Sequence, residues 1–273
     1  MGDEKMTSGF KPRQIARSLP LLAVATLMSL TSHQIAAGEW RVGANVAGGR
    51  TPFLGEDNLA ALIPMVAYKG ERFYANLGNP GLSFFNGSSN FGGLGYSVVK
   101  EDNYNIDLVG RIRAMGLYPE DNDDLEGIDD RDPGFDVGVT ARWQTGVGEL
   151  NAQLLADVSN TSKGQEVILS YAYPLKYGQW SLRPELGISW QSGDMADYYF
   201  GVDRDEATAR RAVYEAGSAV TPFAGVEFEY AFDQKIDLIG GVGVGRLADE
   251  ISDSPIVDER NLAGGYLGLS YKF

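Results

Sequence analysis

The chain has 273 residues and a formal charge of −14, with no cysteine and a single histidine, His33. That length allows one large domain or two small ones. The acidity excludes nucleic acid as a partner, which needs a basic face, and the lack of cysteine excludes disulfides and thiolate metal sites.

Residues 1–37 read as a cleaved export signal. Lys11, Arg13 and Arg17 form a positive leader, and Leu19 to Leu30 form an apolar run. TSHQIAA then offers small residues for cleavage before Gly38. The run is shorter than the roughly 20 apolar residues that cross a bilayer, so it marks an exported precursor rather than an anchor. No later run approaches the length of a membrane helix. An exported chain of this kind meets a membrane as a closed barrel, because an open sheet leaves backbone groups unpaired in lipid.

From Gly38 onward the sequence alternates. Strands are expected near 39–48, 59–68, 72–79, 93–100, 103–115, 134–144, 149–158, 165–175, 180–191, 221–232, 235–247 and 262–273. Successive side chains of a strand face opposite ways. In YNIDLVGRIRA, Tyr104, Ile106, Leu108 and Ile112 share one face, while Asp107, Arg111 and Arg113 share the other. FDVGVTARW places Asp136 and Arg142 opposite its apolar face, and WSLRPELGISW does the same with Arg183 and Glu185. With Glu227, these charges are expected inside the barrel, either filling a narrow lumen or lining a polar pathway. Gly241, Gly243 and Gly245 are expected on the same inner face, where missing side chains would widen the lumen or ease bending.

The connections support the same reading. Counting back from Phe273, the turns at 69–72, 101–102, 145–148, 176–179 and 233–234 are short. The connections at 49–58, 80–92, 116–133, 192–220 and 248–261 are long, and the one at 159–164 is moderate. Short periplasmic turns and long outer loops belong to outer-membrane barrels. The fold expected is an all-β, closed antiparallel transmembrane β-barrel of about twelve strands, with both ends on the periplasmic side. GGYLGLSYKF is then the closing strand, with Leu267, Leu269, Tyr271 and Phe273 toward lipid.

Two loops stand out. The run 119–133 is dense in carboxylates. It is expected to be a solvated, self-repelling loop and, less readily, a binder of divalent cations bridging to lipopolysaccharide. EATARRAVYEAG (206–217) has the spacing of a short helix that would lie across the mouth or fold into the lumen. GVGRLA (243–248) matches a dinucleotide fingerprint only formally, since no helix pattern follows it.

Several stretches resemble the MipA/OmpV family of outer-membrane proteins: LIPMVAYKGERFYA (62–75), KGQEVILSYAYPLKYGQWSLRPELGISW (163–190), DYYFGVDRDEATARRAVYEAGSA (197–219), SDSPIV (252–257) and the closing YKF. Phe200 departs from the pattern, in which a third Tyr is common. Tyr198, Tyr199, Gly201 and Tyr214 carry the family motif of the longest loop. They are read either as a family-specific contact or as a packed aromatic corner. The resemblance implies an outer-membrane barrel. It also implies a scaffold role that brings a murein hydrolase together with a murein synthase, or else a porin or adhesin role. Tyr271 and Phe273 resemble the terminal signal read by barrel-assembly machinery. The partners expected are outer-membrane lipid, lipopolysaccharide, that machinery and murein enzymes. No cofactor or metal is expected, and catalysis is not: past residue 37 the chain has no histidine, the side chain most easily tuned as a base near neutral pH.

Overall fold

The computed structural model describes residues 38–56, 58–79, 81 and 90–273; the export signal expected at 1–37 lies outside the described residues. The strands are β1 (Glu39–Gly49), β2 (Leu59–Lys69), β3 (Phe73–Leu77), β4 (Asn90–Lys100), β5 (Tyr104–Arg113), β6 (Gly134–Thr145), β7 (Gly148–Asp157), β8 (Gln165–Ala172), β9 (Leu175–Tyr177), β10 (Trp180–Gln191), β11 (Ala219–Ala231), β12 (Ile236–Arg246) and β13 (Asn261–Lys272). Neighbours along the chain pair antiparallel. β13 pairs with β1 from Arg41↔Lys272 to Gly49↔Gly264 and so closes the sheet. β8 and β9 lie end to end along one edge of β10, so twelve spanning strands form the wall. Among the described residues no helix is long and apolar enough to cross a membrane; the crossings are made by strands.

The alternation decides which way each side chain points. On β5, Leu108 is 52% exposed on the outer wall, while its neighbour Asp107 is fully buried inside. On β13, Leu267 and Leu269 face out, and Tyr266 and Ser270 face in. The turns at the end that holds Gly38 and Phe273 are tight. Asp233 accepts the backbone N–H groups of Lys235 and Ile236, the Asx turn that suits a short hairpin. Aromatic rings collect on the outer wall at this same end. Trp40 lies 4.9 Å from Tyr68 and Trp180 lies 4.8 Å from Tyr230, by ring centroids. Such a girdle sits at the membrane interface.

Two strands differ from expectation. The eighth was expected unbroken over 165–175, but Pro174, with no N–H to donate, splits it. β9 then resumes the pairing as Leu175↔Leu182. The third was expected to reach residue 79 but ends at Leu77. Gly78 takes φ +81°, and its carbonyl accepts the Asn45 Nδ2 from inside the barrel. A Cβ at Gly81 would lie 3.4 Å from Glu227 Oε1, so Gly81 itself lies on the inner side of the wall.

Candidate functional site

The barrel interior and its long-loop mouth hold the side chains that can act, and they are arranged in layers. The outermost is apolar. Phe53, Leu125, Ile128, Phe200, Ile251 and Ile256 come from four different outer loops and form one buried core across the mouth. Helix α1 (Gly193–Phe200) is the centre of this cap, and helix α2 (Asp249–Ser252) flanks it. Ser192 caps α1 by accepting the Met195 N–H, as a serine at this position does.

The helix expected over 206–217 is not there; the longest loop is helical at 193–200 instead. Residues 206–217 are held open by side-chain bonds that compete with a helix. The Arg211 guanidinium donates to the carbonyls of Glu206 and Glu126, and Val202 bridges to Tyr214. The acidic loop differs from a purely solvated one as well. Its carboxylates mostly point outward, yet Leu125 and Ile128 are buried and Asn122 Nδ2 donates to the Leu54 carbonyl. Arg131 reaches back to Glu206 at 2.8 Å. Burial alone would raise the Glu206 carboxyl. The backbone N–H groups of Asp203 and Asp129 and the Arg131 guanidinium outweigh that and hold it below 4.5. Among the described residues no group of three or more carboxylates or histidines is placed to hold a metal ion.

The loop-motif residues lie within this cap. Tyr198 Oη accepts the Asp132 N–H at 2.8 Å, and Tyr199 is 1% exposed with its hydroxyl toward the Asp132 carbonyl. Tyr214 Oη donates to the Glu250 carbonyl. Gly201 closes α1, and a Cβ there would meet the Asp197 carbonyl at 2.5 Å. Phe200 stacks on Phe53 at 5.6 Å within the apolar core of the cap.

Beneath the cap lies a dry ionic layer. Arg113 Nη2 donates to Asp136 Oδ2 at 2.6 Å and to Glu166 Oε2 at 2.7 Å, and Ser189 Oγ donates to Glu166 Oε1. All four residues are buried. Arg111, one inward position further down β5, lies within electrostatic reach of Glu166 and Asp136. Two cations therefore face two carboxylates.

The third layer is apolar again. Val109, Leu155, Ile168 and Phe223 meet across the lumen. Phe223 is accommodated by Gly187 on the neighbouring strand, where a Cβ would come within 2.7 Å of the ring. Gly241 has the same role under Tyr266, at 2.7 Å. This corrects the expectation that Gly241 widens the lumen: the space it leaves is filled by an aromatic ring.

The fourth layer reaches the short-turn end and is charged and partly wet. Tyr74 Oη and Arg142 Nη2 both donate to Asp107 Oδ2, at 3.1 and 2.7 Å. Arg183 spans Glu149 at 2.9 Å and Glu227 at 3.3 Å, and also pairs with Glu185. Tyr266 Oη donates to Glu227. Nearest the termini, Asp237 joins Lys272 and Arg41. The side chains of Arg142 and Arg183 are 38% and 31% exposed, against 1% for Arg113. Sequence parity placed the eight charges Asp107, Arg111, Arg113, Asp136, Arg142, Arg183, Glu185 and Glu227 inside. It missed Glu149, Glu166 and Tyr74, which obey the same alternation. It also missed Arg131, Glu206 and Phe223, for which no local pattern exists.

Comparison with known proteins places the chain among outer-membrane proteins. The family described as MltA-interacting protein MipA matches residues 42–273. A putative outer membrane protein, YiaT, of Escherichia coli is 27% identical over 94% of this chain and 96% of its own length. Outer membrane protein OmpV of Vibrio cholerae is 29% identical over 82% of each, and the MltA-interacting protein of Escherichia coli is 26% identical over 93% and 99%. Among solved structures, an outer-membrane channel of Pseudomonas putida aligns over 88% of this chain and 96% of its own, with TM-score 0.42 and 10% identity.

Proposed function

The chain belongs to the MltA-interacting protein MipA family, and from that premise we propose that it is a non-enzymatic outer-membrane barrel, closed to solute flow, that serves as a scaffold or interaction protein in envelope and murein maintenance. The observation that carries the closed reading is the pair of apolar layers, one in the cap and one at Phe223, enclosing a buried ionic layer. Hydrophobic constrictions dewet and stop ions. The murein link rests on the name of one relative, the MltA-interacting protein of Escherichia coli.

A periplasmic partner meets only short turns, yet their rim is not featureless. Tyr177 is 84% exposed, Val147 68% and Phe273 74%. These side chains serve both the lipid interface and a docked protein. The outward carboxylates of residues 119–133 face the lipopolysaccharide side, where bound divalent cations would bridge them to phosphate. An adhesin role would act through the same loops, and a channel role through the polar fourth layer. No histidine or cysteine lies between residues 38 and 273, and interior carboxylates such as Asp136, Glu166 and Asp107 are engaged in ion pairs, which supports the non-enzymatic reading.

The test is planar-bilayer recording on refolded protein. We expect insertion without discrete conductance steps. Reproducible steps that change on neutralising Arg142 would overturn the closed reading in favour of a narrow channel.

A further inference from the structure

The layers are not symmetric about the barrel's middle. On the long-loop side of Phe223 the interior is dry: Asp136, Glu166, Ser189 and Gln191 are at most 2% exposed, and the cap above them is apolar. On the short-turn side four inward charges keep solvent contact, Arg142, Arg183, Glu227 and Arg41 at between 26% and 38% exposed, while their partners Asp107 and Asp237 are buried. Buried polar atoms without a protein partner occur on both sides, Asp136 Oδ1 above and Asp107 Oδ1, Asp237 Oδ1, Ser270 Oγ and Ser170 Oγ below, so the asymmetry rests on the exposure of the charged side chains. The larger number below Phe223 lies beside side chains that keep solvent contact, where water can serve as the missing partner. Following β5 from its short-turn end gives the same order, with Asp107 below Val109 and Arg111 and Arg113 above it.

We propose that the interior is a one-sided vestibule: small hydrophilic solutes enter it from the periplasmic end as far as the Phe223 layer, and nothing enters it from outside. This deepens the closed reading and rests on it. A barrel silent in a bilayer can still have an interior packed to both ends or one open toward the outside, so bilayer silence and sidedness are separate results. The vestibule wall offers acids, bases and phenols together (Asp107, Arg142, Arg183, Glu227, Tyr74, Tyr266), which suits a solute with both hydrogen-bond donors and acceptors rather than an apolar one.

The absence of cysteine gives a clean test. Asp130 is exposed on the long-loop face, and Arg142 is the inward side chain to be probed. The double variant Asp130→Cys/Arg142→Cys is inserted into liposomes without regard to orientation and treated from outside with a small, membrane-impermeant cationic thiol reagent. Intact masses are then read. If the two positions open to opposite faces, every molecule carries one adduct. Molecules with two and with none mean that both sites open to the same face, and labelling of position 130 alone means a packed interior; either result overturns the proposal. Asn105→Cys, further toward the short-turn end, replaces Arg142→Cys if the latter fails to insert as judged by a heat-modifiable gel shift. The Phe223 layer is tested separately. Ser189→Cys should stay unlabelled from both faces, and Phe223→Ala should expose it to reagent from the periplasmic face, raising its labelling rate at least tenfold. Labelling of Ser189→Cys without that substitution would show that Phe223 is not the floor.

Discussion

Arg113 shows what one inward side chain can fix. It joins Asp136 and Glu166 from two other strands in a layer with no solvent contact. Removing one partner of a buried pair leaves an uncompensated charge, at about 3–5 kcal/mol. Arg113→Ala should therefore lower unfolding stability by that amount, read from the urea midpoint of the heat-modifiable band. Arg113→Met with Glu166→Gln removes one charge of each sign, and Asp136 keeps Arg111 nearby; it should restore the larger part of the loss. A single variant as stable as the parent would mean that water reaches this layer. The inward direction of Arg113 was legible in the sequence, because alternation assigns faces. Its partners were not. Parity says in or out but gives no height along the barrel, and the height at which residues 113, 136 and 166 meet follows from the stagger of the strands.

At the scale of elements, the wall was legible and the cap was not. Strands repeat one physical rule over many residues, so their number and approximate ends follow from the alternation. Pro174 and Gly78 shift the ends because each acts on a single bond. The cap has no period. Residues 206–217 have helical spacing, but Arg211 binds carbonyls from two loops and keeps them in turns and bends, while the helix forms where Ser192 caps it. The Arg131–Glu206 clamp then predicts how the cap responds to acid. The Glu206 carboxyl is held below 4.5 in the folded protein, so its contribution is complete above about 4.5 and is lost as pH falls through the lower folded value. Asp197 acts in the opposite sense. Burial raises its carboxyl, so protonating it as pH falls favours the folded cap. Amide hydrogen-exchange protection of residues 203–214 should hold steady from pH 7 to about 5 and fall only below about 4.5. Glu206→Gln should lower that protection already at pH 7 and flatten the acid response. A loss that begins near pH 6 in the parent would contradict the clamp.

For the whole molecule, closure joins β1 to β13, and Phe273 stands at that seam. Its N–H donates to the Trp40 carbonyl at 3.0 Å, and its ring lies 5.1 Å from Tyr271, on a side chain that is 74% exposed. So exposed a ring adds little to the finished barrel, since an aromatic pair is worth about 0.5–1.5 kcal/mol beyond its buried area. We propose that it acts instead before closure, as part of a signal read with Tyr271 by assembly machinery. The two roles separate cleanly. Phe273→Ala should leave the urea midpoint within the shift that about 1.5 kcal/mol produces, yet slow the appearance of the heat-modifiable form in cells several-fold. Refolding of the purified chain into detergent, where no machinery acts, should proceed at the parent rate. If assembly in cells were unchanged, the aromatic end would be only a piece of the interfacial girdle. If refolding in detergent slowed equally, its part would lie in the closing of the β1–β13 seam itself, because the ring would then be needed by the chain and not by a reader of it.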